Sequence, residues 1–309
     1  LDLTVYLLDT LVFMGIFALL AMSLNVEYGF TGLGNFGKVA FFMAGAYTYA
    51  ITAALGWPFY LCLVFAALVA GALGALISLP ALRLREDYLA IVTLTFGEIL
   101  RIIIKAEQGL AGGVWGITIP SAFAGLDLTP RMTAWANVVL VWVIVVGVFV
   151  FLQLLINTPY GRVLRGIRED DVAVQVLGKS FVLYKAQALM VGSAIAGVAG
   201  GLFAQYLRFI DPYMFLPLVT FLVWVMLILG GPANHWGALI GAVIVEFFNR
   251  GSRFLKDYLV LPFDPNNVQF IIFGLLIILL LLYRPYGLFR EKPLRTGAEA
   301  EVLKWPSSP

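Results

Sequence analysis

The chain has 309 residues, 61% of them hydrophobic and 12% charged, with a mean hydropathy of +0.95 and a net charge of +2. A soluble domain carries about a quarter charged residues, so this composition excludes one and points to an all-α polytopic membrane protein. One cysteine, Cys62, and one histidine, His235, leave no material for a disulfide framework or a metal site, and nothing in the charge balance calls for nucleic acid.

About 20 apolar residues cross a hydrocarbon core as a helix. On that measure about nine spans (8–10) are predicted, near 4–25, 36–55, 58–80, 88–105, 134–157, 184–206, 215–231, 235–250 and 267–283. The second, fourth, seventh and eighth are short or glycine-rich, the pattern of broken helices that line a cavity. The opening run lacks the basic stretch of a cleavable signal peptide. The chain starts at Leu1, and a span upstream is left open. No linker divides it, so 1–290 reads as one transmembrane domain and 291–309 as a tail.

The first span meets a polar glycine loop, Gly29 to Lys38. Gly32, Gly34 and Gly37 spell GxGxxG; Gly32, Gly37 and Lys38 spell GxxxxGK. Both bind phosphate only between a strand and a helix. Here an apolar span precedes the loop, and Val39 stands where a phosphate loop needs Ser or Thr. No nucleotide site is expected, and the chain carries no ATPase of its own. Glycines free the backbone from helical geometry, so the loop reads as a break inside the membrane domain. Thr31, Gly32, Gly34, Asn35 and Lys38, with Phe41 and Phe42 beyond, are candidates to line a translocation path. The alternative is an ordinary turn with packing glycines.

Ionisable groups in spans are costly and become functional candidates. Glu98 stands three residues before Arg101, on one helix face; it is either half of a structural pair or a path-lining group. Asp9 and Glu246, near span ends, read as interfacial or packing charges. The loop from 106 to 133, with Gly112, Gly113 and Trp115, is the longest external connection and is expected to fold over the outer mouth. Gly192–Phe203 and Leu218–Leu229 echo Gly37–Leu55 and Leu89–Leu100, a faint internal repeat. His235, after Gly230-Gly231-Pro232-Ala233-Asn234, reads as a turn residue. Serine is scarce and no Ser or Cys has a neighbouring base, so enzyme chemistry is unsupported.

Asn157–Lys185 is different in kind. Between Thr158 and Lys185 it carries five basic and three acidic residues between long apolar runs, and it cannot sit in lipid. Thr158 can cap a helix, Pro159 suits its first position, and Gly178 can stop it. Val163, Ile167, Val174 and Leu177 fall at helical spacing as an apolar stripe, with Arg162, Arg165, Arg168, Glu169, Asp170 and Asp171 mostly off it. One amphipathic helix, or two split near Asp170, would present a docking surface for a soluble partner; the alternative is a helix on anionic lipid. With this island cytoplasmic, that side holds 13 of the 20 basic residues, as the positive-inside rule favours.

These residues carry a resemblance. Leu24-Asn25 through Tyr28–Gly32, Asn35-Phe36-Gly37 and Ala40–Tyr47 open a series continued by Asp87–Arg101 and by Gly112-Gly113 with Trp115–Ile117. Thr158–Arg162 through Arg168–Asp170 to Gly178, and Leu229–Gly231 through Trp236–Ala238, complete it. In that order, over nearly the whole chain, they resemble the permeases of branched-chain amino acid ABC importers, in particular the M-type subunit. The resemblance implies a second related permease, two cytoplasmic ATP-binding subunits that hold ATP and Mg, and an extracellular or periplasmic solute-binding protein. It implies a coupling helix within 158–183, carried here by Gly161, Arg162, Arg165, Arg168, Glu169, Asp170, Ala173 and Gly178. Two departures stand out: Lys38 occupies a position where the family usually has His or Gln, and the Glu-Ala-Ala triplet of many importer coupling loops would fall at Val172-Ala173-Val174, where only Ala173 and the following Gly178 match. The expected function is ATP-driven import of branched-chain or other hydrophobic amino acids. Urea or short amides as cargo, or an ATP-independent secondary transporter or channel, are the alternatives.

Overall fold

The computed structural model describes residues 3–81, 86–123, 129–258, 274–275, 278–279, 282–283 and 286–291. Helix α1 (Leu3–Leu24) is the one the others gather around: α6 (Pro130–Asn157), α9 (Phe181–Leu207), α10 (Pro217–Gly230) and α11 (His235–Tyr258) all pack on it. Its own sequence is apolar on every side, the mark of a buried helix, and from Val12 to Leu24 nearly every side chain is buried. By contrast α6 turns Val139, Val143, Val146 and Val150 outward at steps of four, three and four, a stripe suited to lipid.

A second group joins α2 (Lys38–Ala54), α3 (Phe59–Ala81) and α9. Lipid gives apolar helices no hydrophobic reason to associate, so close van der Waals contact must hold them. Gly45 faces the backbone of Gly197, and Gly200 faces the carbonyl of Phe42, with no room for a side chain at either. Helix α4 (Glu86–Ala106) lies against α2.

The two ends of the molecule follow from α9, which at 27 residues and about 1.5 Å per residue is long enough to cross a bilayer. Near its start lie α7 (Pro159–Glu169) and α8 (Asp171–Val176). Beyond its end, β2 (Phe209–Ile210) pairs antiparallel with β1 (Ile117–Thr118), Ile117 opposite Ile210. Helix α5 (Gln108–Ala111) and the turn Gly113–Trp115 sit in the same connection, so the loop after α4 folds down on the far end of α9.

Among the described residues five helical stretches are long and apolar enough to span a membrane: Thr4–Gly29, Phe59–Ser78, Pro130–Asn157, Phe181–Leu207 and Pro212–Gly230. The chain is thus an all-α polytopic membrane protein. The expected span at 267–283 lies largely outside the described residues, as do Arg83, Arg85 and the tail from 292 on. Several boundaries move. The first helix does not end at 25 but continues through a π-helical turn, Asn25–Gly29, to Thr31. The fourth and eighth segments are not short, at 21 and 24 residues. Gly192–Phe203, read as a short span in a repeat, is the middle of unbroken α9, and its glycines serve packing.

Filling the α2–α9 contact should destabilise the protein. Gly200→Val is expected to cost about 1–3 kcal/mol, the usual range for overpacking, read as a lower Tm in detergent. Gly147→Ala, in open space on α6, should leave Tm unchanged.

Candidate functional site

The chain breaks where the sequence placed a break, one turn later. Gly32 takes a left-handed φ of +75°, and 32–37 runs as a non-helical loop before α2 starts at Lys38. The break is interior. Leu33, Asn35 and Gly37 are buried and Gly32, Gly34 and Phe36 half-buried. Its backbone groups are therefore satisfied by protein: Phe36 N–H donates to Thr93 Oγ1 on α4 at 3.1 Å, and Asn35 O accepts from Trp224 Nε1 on α10 at 3.2 Å. The Phe36 ring stacks on Trp224 with centroids 4.7 Å apart.

Across the break lies an ion pair. Lys38 Nζ donates to Glu27 Oε1 at 2.6 Å, with both side chains 1% exposed or less. Glu27 Oε2 accepts from Asn35 Nδ2 at 2.9 Å, and Thr31 Oγ1 donates to the Glu27 carbonyl. Gly192 of α9 makes the space, since a Cβ there would collide with the carboxylate. Each buried charge costs several kcal/mol to desolvate, so the pair persists only because partners surround it. One turn earlier, Asn25 accepts from Ala233 N–H at 2.8 Å and meets His235 Nδ1 at 3.1 Å. His235 is the buried first residue of α11 and a packing partner of Phe30 at 5.0 Å, in keeping with a turn role.

The charged island folds as two helices parted at Asp170, whose carboxylate caps α8 by accepting from Val172 and Ala173 N–H at 3.0 Å each. Gly178, at φ +76°, ends it. Thr158 does not cap: its hydroxyl donates back to Leu155 O at 2.6 Å, inside the last turn of α6. The arginines are not where the stripe placed them either. Arg168 turns inward, Nη1 donating to Gly29 O at 2.6 Å and Nη2 to Glu291 Oε2 at 2.7 Å. Arg165 Nε lies 3.2 Å from Glu291 Oε1 and its guanidinium 5.3 Å from the Phe30 ring centroid. Burial pulls the Arg165 pKa down. For Arg168 burial acts the same way, but its hydrogen bonds to the Glu169 and Glu291 carboxylates, with their charges, outweigh it and the pKa is raised. Leu164, Ile167 and Val174 are buried beneath, with Gly161 tight against Ile156. Outward face Arg162, Glu169, Ala173 and three bare apolar side chains, Val172, Val176 and Leu177, at 64, 83 and 79% exposure. Leu177 belongs to this outer patch rather than to the buried stripe.

A separate cleft of about 390 Å³ opens between α1, α2, α9, α10 and α11. Aromatic and aliphatic side chains wall it, and Glu246, Asn249 and Arg250 form its polar part. Of the path candidates only Phe42 reaches it. Phe41 packs toward Phe96 at 6.1 Å, and Glu98 pairs with Arg101 at 2.5 Å on α4. Gly112 and Gly113 hold the turn after α5 by positive φ, and Trp115 beside it is 86% exposed.

The family described as "Branched-chain amino acid transport system / permease component" matches residues 6–281. The chain belongs to that family. It is 30% identical to "Probable branched-chain amino acid transport permease protein LivM" of Methanocaldococcus jannaschii, over 93% of this chain and 94% of that one. It is 33% identical to the LivM permease protein of Escherichia coli, over 88% of this chain and 67% of that one, and 25% identical to LivH of the same organism, over 88% and 90%. No solved structure matches. As a member of this permease family with several apolar helices, the chain is a multi-pass protein of the plasma membrane.

Sequence reasoning passed over the residue at the centre of this permease's break. Glu27 lies within an otherwise apolar run, and the rule that singled out Glu98 applies to it equally. Arg250 went into the topology count and Glu291 into the tail; only their partners in space mark them, Asp9 and Glu246 for the first and Arg165 and Arg168 for the second.

Breaking the buried pair from one side should be worse than removing it. Glu27→Gln or Lys38→Met alone is expected to cost about 3–5 kcal/mol by leaving one charge uncompensated. The double variant should regain most of that. A double-mutant cycle on thermal unfolding in detergent measures the difference.

Proposed function

We propose that this permease is the M-type membrane subunit of an ATP-driven importer of branched-chain or other hydrophobic amino acids. In this reading a second related permease completes the membrane unit, as the existence of both LivM- and LivH-named relatives suggests. Two cytoplasmic subunits bind and hydrolyse ATP with Mg, and an external solute-binding protein delivers cargo to the side bearing Gly112, Gly113 and Trp115. The spans number about nine: the five above, the 17-, 21- and 24-residue helices α2, α4 and α11, and the segment near 267–283.

One observation carries the reading. Val172, Val176 and Leu177 are bare along the short helix α8 and at its end, while α7 beneath them grips the π turn that follows α1 through Arg168. Exposed apolar side chains on so charged a segment suit a protein partner. A subunit that docked on α8 and moved with its nucleotide state would push α7, and α7 would carry the push to Gly29 and the break. The energy of such a step is the differential affinity of the partner for the two positions of α7.

Co-purification with candidate ATP-binding subunits, followed by vesicle uptake with and without ATP, tests it. Capture and ATP-dependent leucine uptake are expected; ion-driven uptake by the chain alone would sink the importer reading. Two variants separate docking from transmission. Val176→Asp should weaken capture by about 30-fold or more, the scale of an interface hot spot. Arg168→Glu should retain capture, because that side chain faces inward, yet leave ATP hydrolysis uncoupled from uptake.

A further inference from the structure

The cleft between α1, α2, α9, α10 and α11 is not explained by packing. Its walls include Phe13, Phe17, Phe42, Phe203 and Leu222, and its volume is about 390 Å³. That is in the lower part of the range of about 300–1,000 Å³ for small-ligand sites. Its polar part comes from one helix face. Glu246, Asn249 and Arg250 stand at i, i+3 and i+4 on α11. Arg250 Nε donates to Glu246 Oε1 at 2.9 Å, and Asn249 Nδ2 to Glu246 Oε2 at 3.0 Å. Arg250 Nη1 reaches across to Asp9 on α1, and Tyr206 OH of α9 donates to the other Asp9 oxygen at 2.5 Å. The guanidinium also lies over the Phe13 ring, 3.6 Å from its centroid.

We propose that this cleft is a binding site for one zwitterionic apolar α-amino acid, with its carboxylate on Arg250, its ammonium on Glu246 and its side chain among the phenylalanines. The proposal deepens the importer reading and rests on it. Three features point to this class rather than to a neutral amide or a simple ion. Both signs of charge are offered within one side-chain length of each other. Both line an apolar slot, Arg250 at 11% exposure and Glu246 at 2%. The cation is an arginine, whose planar fork matches a carboxylate.

Arg250 and Glu246 are already desolvated by the fold, so the new costs on entry are the ligand's own two charges and the Asp9 carboxylate that gives up Arg250. Arg250 already holds a carboxylate from another helix, Asp9, and the ligand's carboxylate takes that place while Asp9 keeps Tyr206. The exchange keeps Arg250 paired but leaves Asp9, 31% exposed, with Tyr206 and solvent alone, so net affinity has to come from the apolar side chain and from the ammonium. Tyr213 and Met214 also line the cleft. They sit in the connection after β2, at the end of α9 that carries the outer loop, which places the opening on the side where cargo arrives.

A diazirine-bearing leucine analogue, irradiated with the complete complex in nanodiscs and mapped by mass spectrometry, tests the site. Label is expected on peptides holding Phe42, Phe203 or Leu222. Excess leucine should compete, while isoamylamine and 4-methylpentanoate, each lacking one charge, should not at the same concentration. Arg250→Gln should cut labelling about tenfold or more, the worth of a charge-assisted hydrogen bond. Because that variant also frees Asp9, Val219→Trp serves as a second: it fills the cleft without touching a charge and should abolish labelling while the complex still assembles. Labelling confined to peptides away from the cleft, undiminished labelling in Val219→Trp, or equal competition by the single-charge analogues would overturn the assignment. ATP-driven leucine uptake by the wild-type complex is read separately. Uptake without cleft labelling removes this site alone; cleft labelling without uptake supports the site and removes the importer reading.

Discussion

The Glu27–Lys38 pair is the constraint on which the centre of this molecule depends. A chain that leaves helical geometry inside a membrane domain exposes backbone groups that lipid cannot satisfy. Here the break spans 32–37, and its two flanks are drawn together by opposite charges less than 1% exposed or close to it. Asn35 within the break binds the same carboxylate, and α4, α9 and α10 supply Thr93, Gly192 and Trp224 to close the shell. An apolar contact could hold two helix ends together as strongly. It could not fix the rotation of Lys38 about α2 relative to the π turn, because dispersion contacts are not directional in the way a 2.6 Å charge-assisted hydrogen bond is.

The π turn just before the break gains its meaning from what touches it. Widening from α to π leaves carbonyls less regularly engaged, and such turns gather at functional positions. Gly29 O, at its end, accepts from Arg168 of α7, and Asn25, at its start, holds Ala233 and His235 at the head of α11. One five-residue segment is thus the meeting point of the surface helix, the break and the α10–α11 turn. At the opposite end of the same α1, Asp9 is shared between Arg250 and Tyr206. A rigid, centrally buried helix whose two ends are each held by an arginine from another element is suited to carry a displacement from one end to the other, provided both arrangements are discrete.

The polytopic class, the interior break and the two-part island were legible because each rests on composition or local chemistry. Apolar runs set the helices, Gly32 sets a left-handed turn, and Asp170 caps whatever helix follows it. What was not legible is which way long side chains point. Arg165 and Arg168 look like solvated charges on an amphipathic surface; they lie inward because Glu291, more than a hundred residues later, and a free carbonyl at Gly29 wait beneath them. The path candidates Thr31, Asn35 and Lys38 were grouped for their polarity, and their side chains bond within the break itself; among them and the other path candidates, Phe42 lines the cleft beside Arg250. The missed residues, Glu27 and Arg250, are defined by partners 11 and 241 positions away, a distance over which no periodicity speaks.

This division between polar groups that close a break and polar groups that border a cavity has a physical basis. A buried ion pair sealed on all sides, like Glu27–Lys38, gains from every partner and loses by admitting a ligand, because any ligand would have to displace bonds it cannot replace. An ion pair beside a cavity, like Arg250 with Glu246 and Asp9, can exchange one carboxylate for another, because the incoming group restores the arginine's bond while the displaced Asp9 keeps Tyr206 and is the more exposed partner. A cation held by carboxylates therefore serves rigidity in one place and recognition in the other. Open volume next to the charges distinguishes the two cases, and among the described residues one such volume lies beside Arg250 on α11.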